Sequence, residues 1–371
     1  MKILHYINSL GPGGAEKLLT DILPIMKEQG HEVHLLISNE KNQVQKYHDL
    51  LQDRGIHINN LNSSNFNPLQ VYHLIKLLRR EKYDIVHAHI FPTQYWLALA
   101  SAFSPSRTVL VKTEHNFFNN RRKYKLLKLL ERAVYSRYAM VISITREVDQ
   151  SLQGWLKKVK TVVIPNGLPL QRIHEEIAAG KDHRYEFFKE GQYKLLMVGR
   201  FSGAKDQETL IQAMQYLPAH YHLYFAGRGA SFEQTKQFTA RLGLRERVHF
   251  LGMRTDVYSL MNRVDLNILS TRFEGLSGVT LESLASGKPF IGADVPGVND
   301  IVPDARLLFP AQQPELLAEK IKEISLNAEL SRELVRISLA HVAKFDIHLM
   351  CKRYLEVYEK VLATTQEQIA V

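Results

Sequence analysis

Short apolar runs alternate with amphipathic stretches along most of the chain. The runs at 2–8, 33–37, 84–89, 109–113 and 140–143 have the length and continuity of strands buried on both faces of a parallel sheet. The pattern returns at 195–198, 223–227, 248–252 and 266–269. Between runs, apolar positions fall at helical spacing, as at Leu18, Leu19, Ile22, Ile25 and Met26. Gly11-Pro12-Gly13-Gly14 forms the loop before that helix, Pro24 is expected to kink it, and Gly30 ends it. Repeated strand–loop–helix units predict an α/β protein with two Rossmann-like domains. They span 1–168 and 194–345, joined by a polar linker at 169–193. A last helix, 346–371, carries Met350, Tyr354, Val357, Tyr358 and Val361 as its apolar positions.

The segment 266–302 concentrates the chemistry. It reads as a strand, a polar loop at 271–278, a short helix at 279–286 closed by Gly287, and a strand at 289–293. Such a loop delivers backbone N–H groups at a helix N-terminus, where unpaired donors and the helix dipole favour an anion. Glu274 lies in the loop and Glu282 in the helix. A carboxylate cannot ligate a phosphate, but it accepts hydrogen bonds from hydroxyls. The unit therefore suits a sugar nucleotide: amides and cations on the diphosphate, Glu282 on the ribose, Glu274 on the sugar. Either glutamate alone would also suit a helix N-terminus with no ligand.

Cations follow the strand at 195–198: Gly199-Arg200, then Lys205. Gly199 lets backbone approach closely, and paired cations suit a diphosphate. Gly13 and Gly14 give the first loop the same freedom. That loop is not G-x-G-x-x-G and no acidic residue stands in the diol-reading place, which disfavours a nicotinamide. His115, in Glu114-His115-Asn116, follows a strand end, where ligand groups gather in open α/β sheets. His87 and His89 alternate onto one strand face. A metal there lacks a third ligand of suitable spacing, so a packed, hydrogen-bonded pair is preferred. Met253-Arg254 follows the strand at 248–252 and offers backbone to a base. From Arg121 to Arg132 a helix is expected, with Arg121, Lys125, Lys128 and Arg132 on one face and Leu126, Leu127, Leu130 and Val134 on another. A solvated face and an anionic-membrane surface fit that pattern equally.

Glu274-Gly275-Leu276-Ser277, then Glu282-Ser283-Leu284-Ala285-Ser286-Gly287-Lys288-Pro289, resembles the E-x7-E signature of retaining GT-B glycosyltransferases of the GT4-like family. The family has a second glycine where Ser277 stands, with Gly278 one place on. Arg200 and Lys205 match its V-G-R-x-x-x-x-K-G pattern, with Asp206 in the place of the last glycine. Gly13 to Glu16, the His-x-His strand and Val162 to Leu168 resemble other family segments. The resemblance implies two domains facing across a cleft and a last helix that crosses back to the first. It implies catalytic roles for Glu274, His115, Arg200 and Lys205, with His115 meeting the donor sugar near the reacting carbon. It implies donor contacts from Gly13, Gly14, Gly199, Arg200, Lys205, Arg254, Glu274, Gly275, Leu276, Ser277, Gly278 and Glu282. The implied reaction moves sugar from a nucleoside diphosphate sugar, UDP-linked ahead of GDP-linked, to a glycan or lipid-linked acceptor with retention, in envelope or capsule synthesis. A hydrolysing epimerase of the same fold and a non-catalytic partner of another transferase stay open as alternatives. With no Asp-x-Asp, neither a metal nor a cofactor is expected.

At 371 residues, two domains are the expectation. The formal charge of +10 favours a diphosphate donor and an anionic membrane. Nucleic acid ranks low, because no zinc-finger spacing, RNP motif or arginine-rich tail accompanies that charge. No apolar run approaches the ~18 residues of a membrane span. The single cysteine, Cys351, excludes an intramolecular disulfide. A cytoplasmic protein is expected, with peripheral membrane contact through Arg121, Lys125 and Lys128.

Overall fold

The computed structural model describes residues 1–104, 107–115, 120–181 and 183–370. Asn116, Asp182 and Val371, which belong to segments read from the sequence, lie outside them. The chain forms two compact units, Met1–Gly167 with Ile347–Val371, and Leu168–Asp346.

The first unit is built on seven strands: β1 (Lys2–Ile7), β2 (Glu32–Ile37), β3 (His57–Asn60), β4 (Ile85–His89), β5 (Val109–Glu114), β6 (Met140–Ser143) and β7 (Thr161–Val163). Their order is β3-β2-β1-β4-β5-β6-β7, and every pairing is parallel. Every residue of β4 and β5 is buried, which is why those strands read as unbroken runs. The edge strand β3 has no fully buried residue and gives a weaker signal in the sequence.

The helix Ile347–Ala370 belongs to this unit, as the family resemblance implies. Met350, Cys351, Tyr354 and Tyr358 sit in one core with Ile3, Ile7, Leu19 and Val111. Two buried hydroxyls tie the helix to the sheet: Tyr358 Oη lies 2.5 Å from His87 Nδ1, and Tyr354 Oη 3.3 Å from Thr113 Oγ1. Gly167 is needed beside the start of this helix, since a Cβ there would come within 2.6 Å of Ile347 Cα.

The second unit has six strands: β8 (Tyr193–Val198), β9 (Tyr221–Ala226), β10 (Val248–Gly252), β11 (Leu266–Leu269), β12 (Phe290–Ala293) and β13 (Leu308–Phe309). Their order is β10-β9-β8-β11-β12-β13, again all parallel. In each sheet the connections leave the founding strand in opposite directions. That places a switch point between β1 and β4 and another between β8 and β11, where loops at the strand C-termini open a crevice for ligand.

The helix Gly14–Glu28 runs on through Pro24, whose ring is buried. Two expectations are corrected. The stretch read as linker holds a helix, Leu170–Ala179, with Ile173 as its one buried residue. So narrow a contact stripe leaves little periodicity to read. The single helix expected over 121–132 is a 3-10 turn, Asn120–Lys123, followed by a separate helix, Leu127–Tyr135. Arg121 turns inward: its Nε lies 2.9 Å from Oε1 of buried Glu131, and its guanidinium stands 4.2 Å over the Phe91 ring. It therefore does not share a solvated face with Lys125 and Lys128.

Candidate functional site

In the second unit the predicted groups gather at the β8–β11 switch point. The loop after β8 carries Gly199, Arg200 and Lys205; the loop after β11 carries Glu274 to Gly278. Short backbone bonds clamp the two together: Asp206 N to Ser270 O at 3.1 Å and Arg272 N to Ala204 O at 2.9 Å. Lys205 Nζ forms an ion pair with Glu274 Oε1, both side chains mostly covered. The lysine stem crosses Gly199, where a Cβ would stand 3.5 Å from Lys205 Cε. Arg200 is exposed, and its carbonyl accepts from Gln207 Nε2 at 3.2 Å.

Two departures from the family pattern have structural work here. Ser277 is the N-cap of the helix Gly278–Ala285, accepting from Thr280 N at 3.4 Å, and its own N–H donates to Gly297 O at 3.1 Å. Its amide is thus committed, and the first-turn amides of Gly278 and Val279 are the ones outside the intrahelical ladder. Asp206, in the glycine's place, is buried; it accepts from Thr209 Oγ1 at 2.7 Å and faces Arg272 Nη2 at 3.5 Å. Gly297 was not foreseen. Its φ is +78°, and a Cβ would fall 2.4 Å from Gly275 O and 2.6 Å from Glu274 O. It holds the Glu274 loop from behind, a contact made by a segment some twenty residues downstream and invisible to any local motif.

Glu282, on the helix Gly278–Ala285, accepts from Tyr258 Oη at 3.2 Å. Arg254 is held by Asp256 through two bonds of 2.9 and 2.6 Å, with Tyr185 and Phe187 beside it. Its guanidinium is thus already paired.

In the first unit, Gly13 is the N-cap of the Gly14–Glu28 helix after β1, and a Cβ on it would strike the Glu16 carboxylate at 2.1 Å. The loops after β1 and β4 are joined by Asn8 Nδ2, which donates to Phe91 O at 2.7 Å. His115 follows β5. Its Nε2 lies 3.2 Å from His89 Nδ1, and His89 Nε2 lies 3.0 Å from His5 Nδ1. Burial, helped by the nearby Lys112 charge, pushes the His115 pKa down to about 4, and burial alone takes His5 to about 3. His87 and His89 are lowered well below the ordinary value for the same first reason, burial. All four are neutral at pH 7.

His5 is the third histidine that spacing alone did not reveal. The β1–β4 register sets it opposite His87, and ring nitrogens of His5, His87 and His89 fall within 4.8 Å of one another. His87 and His89 stack at 4.1 Å, whereas ligands of one metal must aim in-plane lone pairs at it. Both His87 nitrogens are engaged, by Tyr358 at 2.5 Å and Thr113 Oγ1 at 2.7 Å.

The glycosyl transferases group 1 family model matches residues 180–338, and the Glycosyltransferase Family 4 model matches 12–172. Among relatives, a lipopolysaccharide core biosynthesis glycosyltransferase of Rhizobium meliloti, LpsE, is 25% identical over 96% of this chain and 98% of its own. An N-acetylgalactosaminyltransferase of Campylobacter jejuni, named for a diacetylbacillosaminyl-diphospho-undecaprenol acceptor, is 24% identical over 88% of each chain. The structure of HepE from Anabaena in complex with UDP superposes with a TM-score of 0.83 at 22% identity, covering 97% of this chain and 100% of that one. The same protein has been solved with UDP-glucose.

Proposed function

We propose that this chain, which belongs to the GT4-like glycosyltransferases and has the GT-B fold, moves a sugar from a nucleoside diphosphate sugar to a glycan or lipid-linked acceptor with retention of configuration. UDP-sugars are favoured over GDP-sugars, in keeping with the UDP complexes of HepE. The relatives in core lipopolysaccharide and undecaprenyl-linked glycan assembly support an acceptor of envelope or capsule synthesis. Work on such an acceptor would place the enzyme on the cytoplasmic face of the membrane; no helix among the described residues is long and apolar enough to cross one.

The observation that carries this reading is the Lys205–Glu274 pair at the β8–β11 switch point. A diphosphate arriving there draws Lys205 to its oxygens and releases Glu274 to the sugar hydroxyls. When the anomeric C–O bond breaks, its electron pair leaves on the diphosphate. Arg200, Lys205 and the first-turn amides of Gly278 and Val279 then stabilise that charge. Glu282 holds the ribose. His115 is uncharged at neutral pH, so it acts toward the sugar as a hydrogen-bonding group and not as a cation.

A thermal-shift panel of UDP- and GDP-sugars tests the donor, because a ligand of the folded state raises the melting temperature. The reading expects a shift with at least one UDP-sugar, and release of UDP only when an acceptor is added. Release of diphosphate without acceptor would replace transfer by epimerisation or hydrolysis.

A further inference from the structure

The helix Leu127–Tyr135 sorts its exposed residues by chemistry. At 100° per residue, Lys128, Arg132 and Ser136 form one face; Leu127, Leu130 and Val134 form another. The ridge between them is Leu126, Leu129 and Ala133. Leu126 is 89% exposed, Leu129 75% and Leu130 50%. Buried Glu131 anchors the opposite side, accepting from Tyr95, Trp155 and Arg121.

Each flank of the ridge opens into a concavity. On one side lies an apolar groove of about 600 Å³, lined by Phe91, Tyr95, Leu99, Leu127 and Leu130. On the other lies an open basic hollow of about 1210 Å³. Lys128 and Arg132 enter it from the helix, Arg137 from the turn after it, Lys157, Lys158 and Lys160 from the segment before β7, and Lys360 from the last helix. All seven are exposed. No carboxylate lines the hollow, and none of the seven forms an ion pair among the described residues. The hollow also touches the first residues of β5, β6 and β7, at the end of the sheet opposite the strand C-termini that carry His89 and His115. It is therefore separate from the site described above.

Seven like charges around one hollow repel one another unless an anion shares them. A soluble polyanion would use the cations and leave Leu126 and Leu129 in water. An anionic lipid surface uses both, since it meets phosphates with the basic side and receives the leucines between headgroups. We infer that this face docks the protein on a membrane of anionic phospholipid, with Leu126, Leu129 and Leu130 entering the interface and Lys128, Arg132, Arg137, Lys157, Lys158, Lys160 and Lys360 against the headgroups. Arg121, bonded to Glu131 and stacked on Phe91, is not part of the headgroup contact.

Docking is read without donor or acceptor, so it stands or falls apart from the transfer reaction. The whole chain is co-sedimented with vesicles of phosphatidylcholine alone and with phosphatidylglycerol added. Wild type should bind the phosphatidylglycerol vesicles at low salt and release as salt rises. K157Q/K158Q/K160Q should weaken partitioning on the order of a hundredfold at low salt. L126S/L129S should weaken it about tenfold or more. The changed residues are exposed, and unchanged melting temperatures confirm folded variants. Failure of wild type to bind phosphatidylglycerol vesicles at low salt overturns the inference. So does lysine-dependent binding of a short DNA duplex combined with vesicle binding that L126S/L129S leaves intact; the hollow would then serve a soluble polyanion.

Discussion

The two switch points share a strand arrangement and carry opposite chemistry. Beside β1, β4 and β5 the first unit places imidazoles, with His5, His87 and His89 fully buried in the strands themselves. Beside β8 and β11 the second unit places charges on loops past the strand ends, where Lys205 and Glu274 are partly covered and Arg200 is exposed. A strand interior keeps a titratable group cheaply only when the group is neutral or paired. Histidine meets that condition by losing its proton. Lys112 and Glu114 meet it on β5 as a buried pair, with Tyr135 Oη donating to Glu114 at 2.8 Å. A group that stays charged belongs on a loop, and the second unit carries Arg200 and Lys205 there, where we propose they hold a diphosphate.

The contrast is broken most forcefully by acid. Each of the four histidines, His5, His87, His89 and His115, has a folded pKa below its unfolded value near 6.5. Below that value the unfolded chain binds protons that the folded chain refuses, so stability falls as pH drops from about 6.5 toward the folded pKa of about 3 to 4. All four act in the same direction, each adding to the slope of stability against pH. Urea unfolding at pH 7 and pH 5 measures this; equal free energies at both would mean that the cluster takes up protons while folded.

On the charged side, Glu274→Ala should lower kcat and kcat/KM together by about 10²–10³-fold, as for loss of a group acting in the transition state. Affinity for bare UDP should hold or rise, because Lys205 is released from its partner. A folded variant with wild-type kcat and KM would return Glu274 to a purely structural role. Lys205→Ala should cost about 1.5–3 kcal/mol in UDP binding by calorimetry, the worth of a charge-assisted hydrogen bond. Unchanged affinity would remove Lys205 from the diphosphate.

The same division explains what the sequence allowed. Buried parallel strands read as apolar runs, and loops that need glycine or charge at fixed offsets read as motifs; the inner strands of both sheets, though not β3, β7 or the two-residue β13, and the Arg200, Lys205, Glu274 and Glu282 positions were legible for that reason. What depended on partners far along the chain was not. His5 joins His87 only through the β1–β4 register. Gly297 supports Glu274 from another loop. Arg121 looked like one of a row of surface cations until buried Glu131 gave it a reason to turn inward. Ser277 looked like a lost glycine, and became intelligible as a helix cap once the helix start was fixed at Gly278.

The smallest expected effect is none at all: transfer should proceed at full rate in excess EDTA. A departing diphosphate needs positive charge, supplied either by a divalent cation on free carboxylates or by fixed cations and amides. The second unit has the latter in Arg200, Lys205 and the first turn of the helix at Gly278. Its nearby carboxylates are committed elsewhere. Glu274 is paired with Lys205 and passes to the sugar hydroxyls when the donor draws that lysine away, Glu282 accepts from Tyr258, and buried Asp206 accepts from Thr209 and faces Arg272. Taking one of them for a metal would strand its partner, at about 1–3 kcal/mol for a buried group left unsatisfied. Activity lost in EDTA and restored by Mg²⁺ or Mn²⁺ would show that a carboxylate here takes a metal when the donor binds, and the charged loops would then be a metal site assembled by substrate.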